Sequence, residues 1–426
     1  MNRILIICFV MGWINITANA QTGHILNGAG ARSFGMAGVG TAYAMNPTSA
    51  LQWSPSSITQ IPTSIEFSSS IISLNTENYS ELDLSFLDPS LPQGSIIAGP
   101  LNDETGNTIL PTISFIYNPK SEWSFGFTAA GIGGFGVDFP QAATSPISLL
   151  FGDVFSNYQL FQLSITAAYQ LTDKLAIAIS PTFNIASLEL GPIVTATPFV
   201  GAGGILFPSR DKAKALGYGI HLGMTYAVNE SLSVGVLYKS KQKFEDFEYD
   251  QLNGQGSPST TSLDYPMILA GGISYRGFSK TSLAFDFRYI DYASTEGFNE
   301  TGYAADFSVR GFGWANSYFY GIGIERSICK ELIVRSGYSY STNPIDDDAS
   351  FFSTVAPAAV QHTVGVGASY AFSDVIDVSI GYHHGFESKI EGPFILPTAD
   401  GGQAVPSITR SSLATNLFSL DIGIKL

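Results

Sequence analysis

Cysteine is nearly absent. The chain of 426 residues holds two, Cys8 and Cys329. Cys8 lies inside an apolar leader, so no disulfide is open to the mature chain. Charge is scarce as well: Asp, Glu, Lys and Arg make up 13% of the residues, with 35 acids against 20 bases. A net charge of −15 repels polyanions and sets nucleic acid aside as a partner. No run after the leader approaches the roughly 18 consecutive apolar residues that a spanning helix needs. Also missing are G-x-S-x-G, a Walker sequence and a dinucleotide fingerprint. His221 and His383 come from separate segments with no His/Cys/Asp cluster at ligand spacing. Neither a cofactor nor a metal is expected, and no catalytic residue is assigned.

What is there points to export. Arg3, the apolar stretch from Ile4 to Ile16 and Ala18-Asn19-Ala20 before Gln21 read as a signal peptide over residues 1–20. Removing Arg3 leaves 19 − 35 = −16. An exported chain rich in Gly, Ser, Phe and Tyr and poor in charge has the profile of an outer-membrane β-barrel.

Periodicity carries that reading further. In "LFQLSITAAY" Phe161, Leu163, Ile165, Ala167 and Tyr169 alternate with Gln162, Ser164, Thr166 and Ala168. "YGIHLGMTY" (218–226) and "SLAFDFRY" (282–289) do the same, with one face greasy and the other small or polar. About fourteen such segments begin near 64, 109, 122, 158, 174, 214, 230, 267, 280, 315, 331, 360, 375 and 412. Short turns ("NPKS", "QLTDK", "VNES", "RGFSK", "SICKE", "FSDV") alternate with long loops near 75–108, 133–157, 189–213, 242–266, 293–314, 342–359 and 388–411. That layout predicts an all-β fold: a 14-stranded antiparallel transmembrane β-barrel with short turns in the periplasm. Tyr117, Tyr169, Tyr226, Tyr275 and Tyr370 end five of the six strands running down to those turns, as an interfacial girdle requires.

One stretch does not fit a wall. Residues 28–58, "GAGARSFGMAGVGTAYAMNPTSALQWSPSSI", are too broken for a helix and too long for a loop. Side chains alone cannot fill so wide a lumen, and Gly and Ala let backbone approach backbone. Residues 21–60 are therefore expected to form a hatch, with the barrel over 61–426. Here the sequence resembles the FadL-type long-chain fatty acid and hydrocarbon transporters. Gly28, Gly30, Ala31, Arg32, Gly35, Met36 and Gly38 match the hatch signature G-x-G-A-R…G-M-G-G-A, and Ser54-Pro55-Ser56 is set against its Asn-Pro-Ala.

The resemblance implies passive, hatch-gated uptake of a long-chain fatty acid, detergent or aromatic hydrocarbon, by a monomer among outer-membrane lipid and lipopolysaccharide. It also implies lateral exit at a kinked third strand. In "WSFGFTAAGIGGFGVDFP" that strand meets Gly131, Gly133, Gly134 and Gly136, which mark either a kink or the start of a loop. Leu150, Phe151 and Phe155, with Phe199, Ile205, Leu206 and Phe207, are apolar in expected outer loops; they pack on one another, capture ligand, or both. Arg288 and Arg335 face the lumen by parity, where they hold a ligand carboxylate or pair with acids on their own faces. Two other functions stay open: a surface structural or adhesion barrel, and an outer-membrane lipase using outward Ser336 and His384.

Overall fold

The computed structural model describes residues 23–43, 45–119, 121–191, 199–201, 204–206, 212–252, 258–304, 309–398 and 401–426. The leader lies outside them. Fourteen antiparallel strands close a barrel. They are β1 (Ser64–Asp83), β2 (Asn107–Tyr117), β3 (Trp123–Phe139), β4 (Val154–Thr172), β5 (Leu175–Leu190), β6 (Lys212–Ala227) and β7 (Leu232–Lys239). The ring continues through β8 (Met267–Phe278), β9 (Thr281–Asp291), β10 (Ser317–Ser327), β11 (Leu332–Ser341), β12 (His362–Ala371), β13 (Ile376–Gly392) and β14 (Ser407–Lys425). Each pairs with the next, and β14 returns to β1 from Ser64↔Lys425 to Leu82↔Ser407. A further strand segment, Ile96–Asn102, continues the line of β2 along the upper half of β1.

The alternation read from the sequence is the alternation of the wall. Phe67, Ile71, Ile165, Ile322 and Phe418 point outward and are exposed, while Ser68, Ser70, Thr166, Ser180 and Ser419 point inward and are buried. Two expected loops are largely strand. β1 runs on to Asp83, β3 runs to Phe139 and β4 begins at Val154, so Phe155 belongs to the wall and not to a loop. These upper hairpins pair through backbone bonds above the apolar belt, where Glu77, Glu81 and Asp138 interrupt the greasy face that the periodicity follows.

The lumen is filled by residues 23–43 and 45–61. They include helices α1 (Gly30–Gly35) and α2 (Pro47–Trp53), with a 3₁₀ turn at Pro55–Gln60. This segment docks backbone-on-backbone against inward glycines of the wall. A Cβ on Gly337 would lie 2.3 Å from the Met36 carbonyl carbon, one on Gly365 2.2 Å from Phe34 O, and one on Gly381 2.3 Å from Ala31 O. No side chain fits those gaps, and neither wall nor segment can yield, since both are backbone.

Gly337→Val should therefore leave a barrel with a displaced inner segment, at a cost of about 1–3 kcal/mol or more in docking. Planar-bilayer recording should show higher single-channel conductance than wild type. Unchanged conductance would contradict this packing.

Candidate functional site

Neither helix of the inner segment caps itself: the residues before α1 and α2, Ala29 and Asn46, make no side-chain cap. Wall carboxylates do it instead. Asp421 on β14 accepts from Ala31 N at 2.7 Å, and Glu66 on β1 accepts from Thr48 N at 3.2 Å. Negative charge at a helix N-terminus is where the free N–H groups want it. Asp286 on β9 likewise takes Gly40 N (2.9 Å), Thr41 N (3.0 Å) and Thr41 Oγ1 (2.8 Å). Arg32 donates to Asp377 and Ser379 on β13 and to Met45 O.

The lumen cations read from parity do face inward, and both are engaged. Arg288 donates to Asn27 O, Gly38 O and Asp286, and its guanidinium lies 3.5 Å from the Trp53 ring centroid. Arg335 bonds Glu325 at 2.7 Å and Ser369 at 2.6 Å.

The expected hatch residues Gly28, Gly30, Arg32, Gly35 and Met36 sit in this docked segment, Gly30 at φ +72 where only glycine is unstrained. The Asn-Pro pair is Asn46-Pro47. Pro47 opens α2, and the Asn46 amide donates to Glu66 at 2.6 Å. Ser54-Pro55 instead closes that helix and starts the 3₁₀ turn. Sequence reading missed Asn46; the signal was Pro at the first helical position.

The kink in β3 makes a window. Below it β2 and β3 pair from Tyr117↔Phe125 to Thr112↔Ala130. There β3 bulges between Gly131 and Gly133 and follows β4, while β2 follows β1. Pro111, the next residue of β2, has no N–H to give. Above, Glu104 N donates to Asp138 O at 2.9 Å and closes the gap. The free edge of β3 is capped from inside: Ile25 bridges Gly133, Gly134 N donates to His24 O at 3.0 Å, and Leu26 N to Ile132 O at 3.4 Å. A cavity of about 70 Å³ spans the window, lined by Leu26, Ile72, Leu110 and Phe135 from the lumen face and Gln159 from the outer face.

His24 caps the window with its carbonyl and fills an aromatic cage with its ring. Phe298 stacks on the imidazole at 4.9 Å and 1°. Tyr265 (5.5 Å), Tyr292 (5.7 Å), Tyr158 (5.8 Å), Trp314 (6.3 Å) and Phe135 (6.4 Å) surround it. Its Nδ1 is 3.3 Å from the Tyr292 hydroxyl, and its Nε2 has no partner. Burial pushes the imidazole down to about 3, so the ring is a neutral flat aromatic in this cage.

The chain was compared with known proteins. The family model described as outer membrane protein transport protein (OMPP1/FadL/TodX) matches residues 14–404. The chain belongs to the FadL/TodX family. It is an outer-membrane protein of Gram-negative bacteria, in a family that carries hydrophobic compounds. A FadL homologue of Pseudomonas aeruginosa superposes with a TM-score of 0.72 at 14% identity, covering 95% of this chain and 99% of that one. The toluene transporter TodX of P. putida gives 0.67 at 17%, covering 94% and 99%. The toluene transporter TbuX of Ralstonia pickettii gives 0.62 at 18%, covering 92% and 98%. A search of curated proteins finds no match.

The remaining site expectations scatter for this FadL/TodX member. Leu150 is half-exposed on α3 (Pro146–Phe151), and Phe151 packs on Phe351 at 5.7 Å. The side chains of Phe199, Ile205, Leu206 and Phe207 lie outside what is described. Ser336 donates to Gly365 O, and His384 meets Asn416 at 2.9 Å, so these two outward residues engage other groups and not each other.

His24 ties the cage to pH. Released, its ring titrates near its ordinary 6.5; caged, near 3. Docking is therefore at full strength above pH 6.5 and weakens as pH falls below it. The phenols facing it, Tyr158, Tyr265 and Tyr292, stay protonated throughout that range. Between pH 7.5 and 5, hydrogen-exchange protection of the Gly134 amide, corrected for intrinsic rate, should fall about 30-fold. In His24→Phe it should not change with pH.

Proposed function

We propose that this chain lets hydrophobic molecules carrying a flat ring diffuse passively into the outer membrane, the hatch acting as the gate. The observation that carries the reading is the double role of His24. A ring entering the cage displaces the imidazole, and the same movement withdraws the carbonyl that caps Gly134 at the window. Cage and exit are then one device, worked by binding energy alone. The exit gives onto the lipid-facing belt, where Ile109 of β2 and its cross-strand partner Ile71 of β1 are exposed on one side of the gap.

A flat aromatic suits the cage better than a saturated chain, because a ring stacked on Phe298 and met edge-on by Tyr265 reproduces the contacts of the imidazole. The toluene named for two of the similar structures is in keeping with this; long-chain fatty acids are the weaker substrate class. In the same reading residues 1–20 direct export, 21–60 are the hatch and 61–426 the barrel. Leu150 and the apolar loop residues around it gather ligand outside, and the protein works as a monomer beside lipopolysaccharide.

The test closes the window. Leu110 Cβ is 3.4 Å from where a Cβ on Gly131 would sit, close to the roughly 3.8 Å that a disulfide spans. Leu110→Cys with Gly131→Cys, in a Cys329→Ser background, should lose labelled-toluene uptake when oxidised and regain it with reductant. Palmitate uptake should be the slower of the two in the reduced protein. Full uptake by the oxidised form would refute lateral exit.

A further inference from the structure

Tyr158 on β4 faces inward and is 2% exposed, and its hydroxyl has no hydrogen-bond partner. It belongs to two places at once. Its ring stands in the cage beside His24, 5.1 Å from Phe135, and it lines the cavity at the window. Burial first, and then the hydroxyls of Tyr265 and Tyr158, push the Tyr292 phenol well above its ordinary value, which sets the three oxygens near one another. The Tyr292 hydroxyl is engaged by His24, through Nδ1 at 3.3 Å and through its backbone. Tyr265 lines a separate cavity of about 20 Å³ beside Trp53, with room for a water, and Trp314 Nε1 donates to Ser353 Oγ at 2.9 Å. Among the described residues, Tyr158 Oη and His24 Nε2 are the cage atoms left orphaned. A buried polar atom without a partner costs more than an ordinary hydrogen bond returns. The imidazole therefore matches the cage in shape and not in polarity.

We propose that the cage selects hydroxylated arenes, monocyclic phenols, over plain hydrocarbons, with Tyr158 as the specificity-determining residue. The cargo ring takes the place of the imidazole on Phe298, and its hydroxyl sits between Tyr158 and Tyr292. The cargo oxygen accepts from the Tyr158 O–H. The cargo O–H donates to Tyr292 Oη, which gives up His24 Nδ1 when the end of the hatch withdraws. One hydroxyl serves both because it is donor and acceptor at once, and a methyl group serves neither. A phenol thus relieves Tyr158, and the released imidazole brings Nε2 to water; toluene achieves only the second. Since Tyr158 also lines the window, selection and release meet at one residue. The inference rests on the passage proposed above and deepens it.

Competition against labelled-toluene uptake by cells carrying the full chain tests it, with p-cresol and p-xylene as competitors, since these differ only by a hydroxyl in place of a methyl. p-Xylene is the greasier molecule and wins in any site that offers no hydrogen bond. In wild type p-cresol should inhibit at the lower concentration. Tyr158→Phe keeps the ring and removes the orphaned hydroxyl. There the order should reverse, the ratio of the two inhibitory concentrations moving about tenfold or more, as stranding one buried hydroxyl implies. Tyr249→Phe, which alters a buried phenol in the outer hairpin and not in the cage, should leave the ratio as it is. If Tyr158→Phe fails to assemble a heat-modifiable barrel, the order in wild type decides alone. p-Xylene ahead in wild type, an order that Tyr158→Phe leaves unchanged, or an equal shift in Tyr249→Phe overturns the selection and leaves the toluene passage standing. No saturable toluene uptake by the wild-type chain overturns both.

Discussion

The structure depends on how polar groups of an inner segment are satisfied where water is excluded. Helices α1 and α2 are short and lack caps of their own, so alone they would leave buried N–H groups without acceptors. The barrel provides the acceptors: Asp421, Glu66 and Asp286 each reach from a strand to hatch backbone. Glycines at Gly337, Gly365 and Gly381 let that backbone come close enough to be reached. Wall and hatch are thus joined by one polar network, beside apolar clusters such as Ala50, Leu51 and Ile58 of the hatch against Ile116, Ala168 and Ala178 of the wall.

The same rule explains where the network is weakest. Deep in the lumen the hatch is held by carboxylates and guanidinium groups. Its leading residues, His24 to Leu26, are held by three backbone contacts to the free edge of β3 and by the aromatic cage. Ring contacts and lone backbone bonds exchange more readily than buried ion pairs, which are costly to break because they leave a charge stranded. In the passage proposed above, a molecule with a ring competes for the cage and not for the base of the hatch. That proposal needs only a local opening, with the stopper left in place.

Much of the fold was legible along the chain because a barrel wall obeys a local rule. Tyr117, Tyr226, Tyr275 and Tyr370 are exposed on the outer face at the turns where the periodicity put them. The glycines of β3 stood out as a bend or a loop start, since a Gly cluster inside an alternating strand weakens its pairing. The upper hairpins of β1 and β3–β4 were read as loops because beyond the bilayer neither face has to be greasy. Asn46 was passed over in favour of Ser54, since motif matching weighs spacing and cannot see which proline starts a helix.

The cage was not legible at all. His24, Tyr158, Tyr265, Tyr292, Phe298 and Trp314 lie on the hatch, a strand and two separate loops, and no spacing relates them. The orphaned hydroxyl of Tyr158 was equally hidden, because parity tells which way a side chain points and not whether a partner waits opposite. The sequence by itself determined the number of strands, which face of each meets lipid, and that something small must fill the lumen, since each follows from a period of two and the size of a closed ring. Tertiary structure alone decided which carboxylate caps which helix, that the glycines of β3 bend the strand and do not begin a loop, and that one histidine meets both pocket and window, because these depend on distances across the lumen that no neighbour along the chain records.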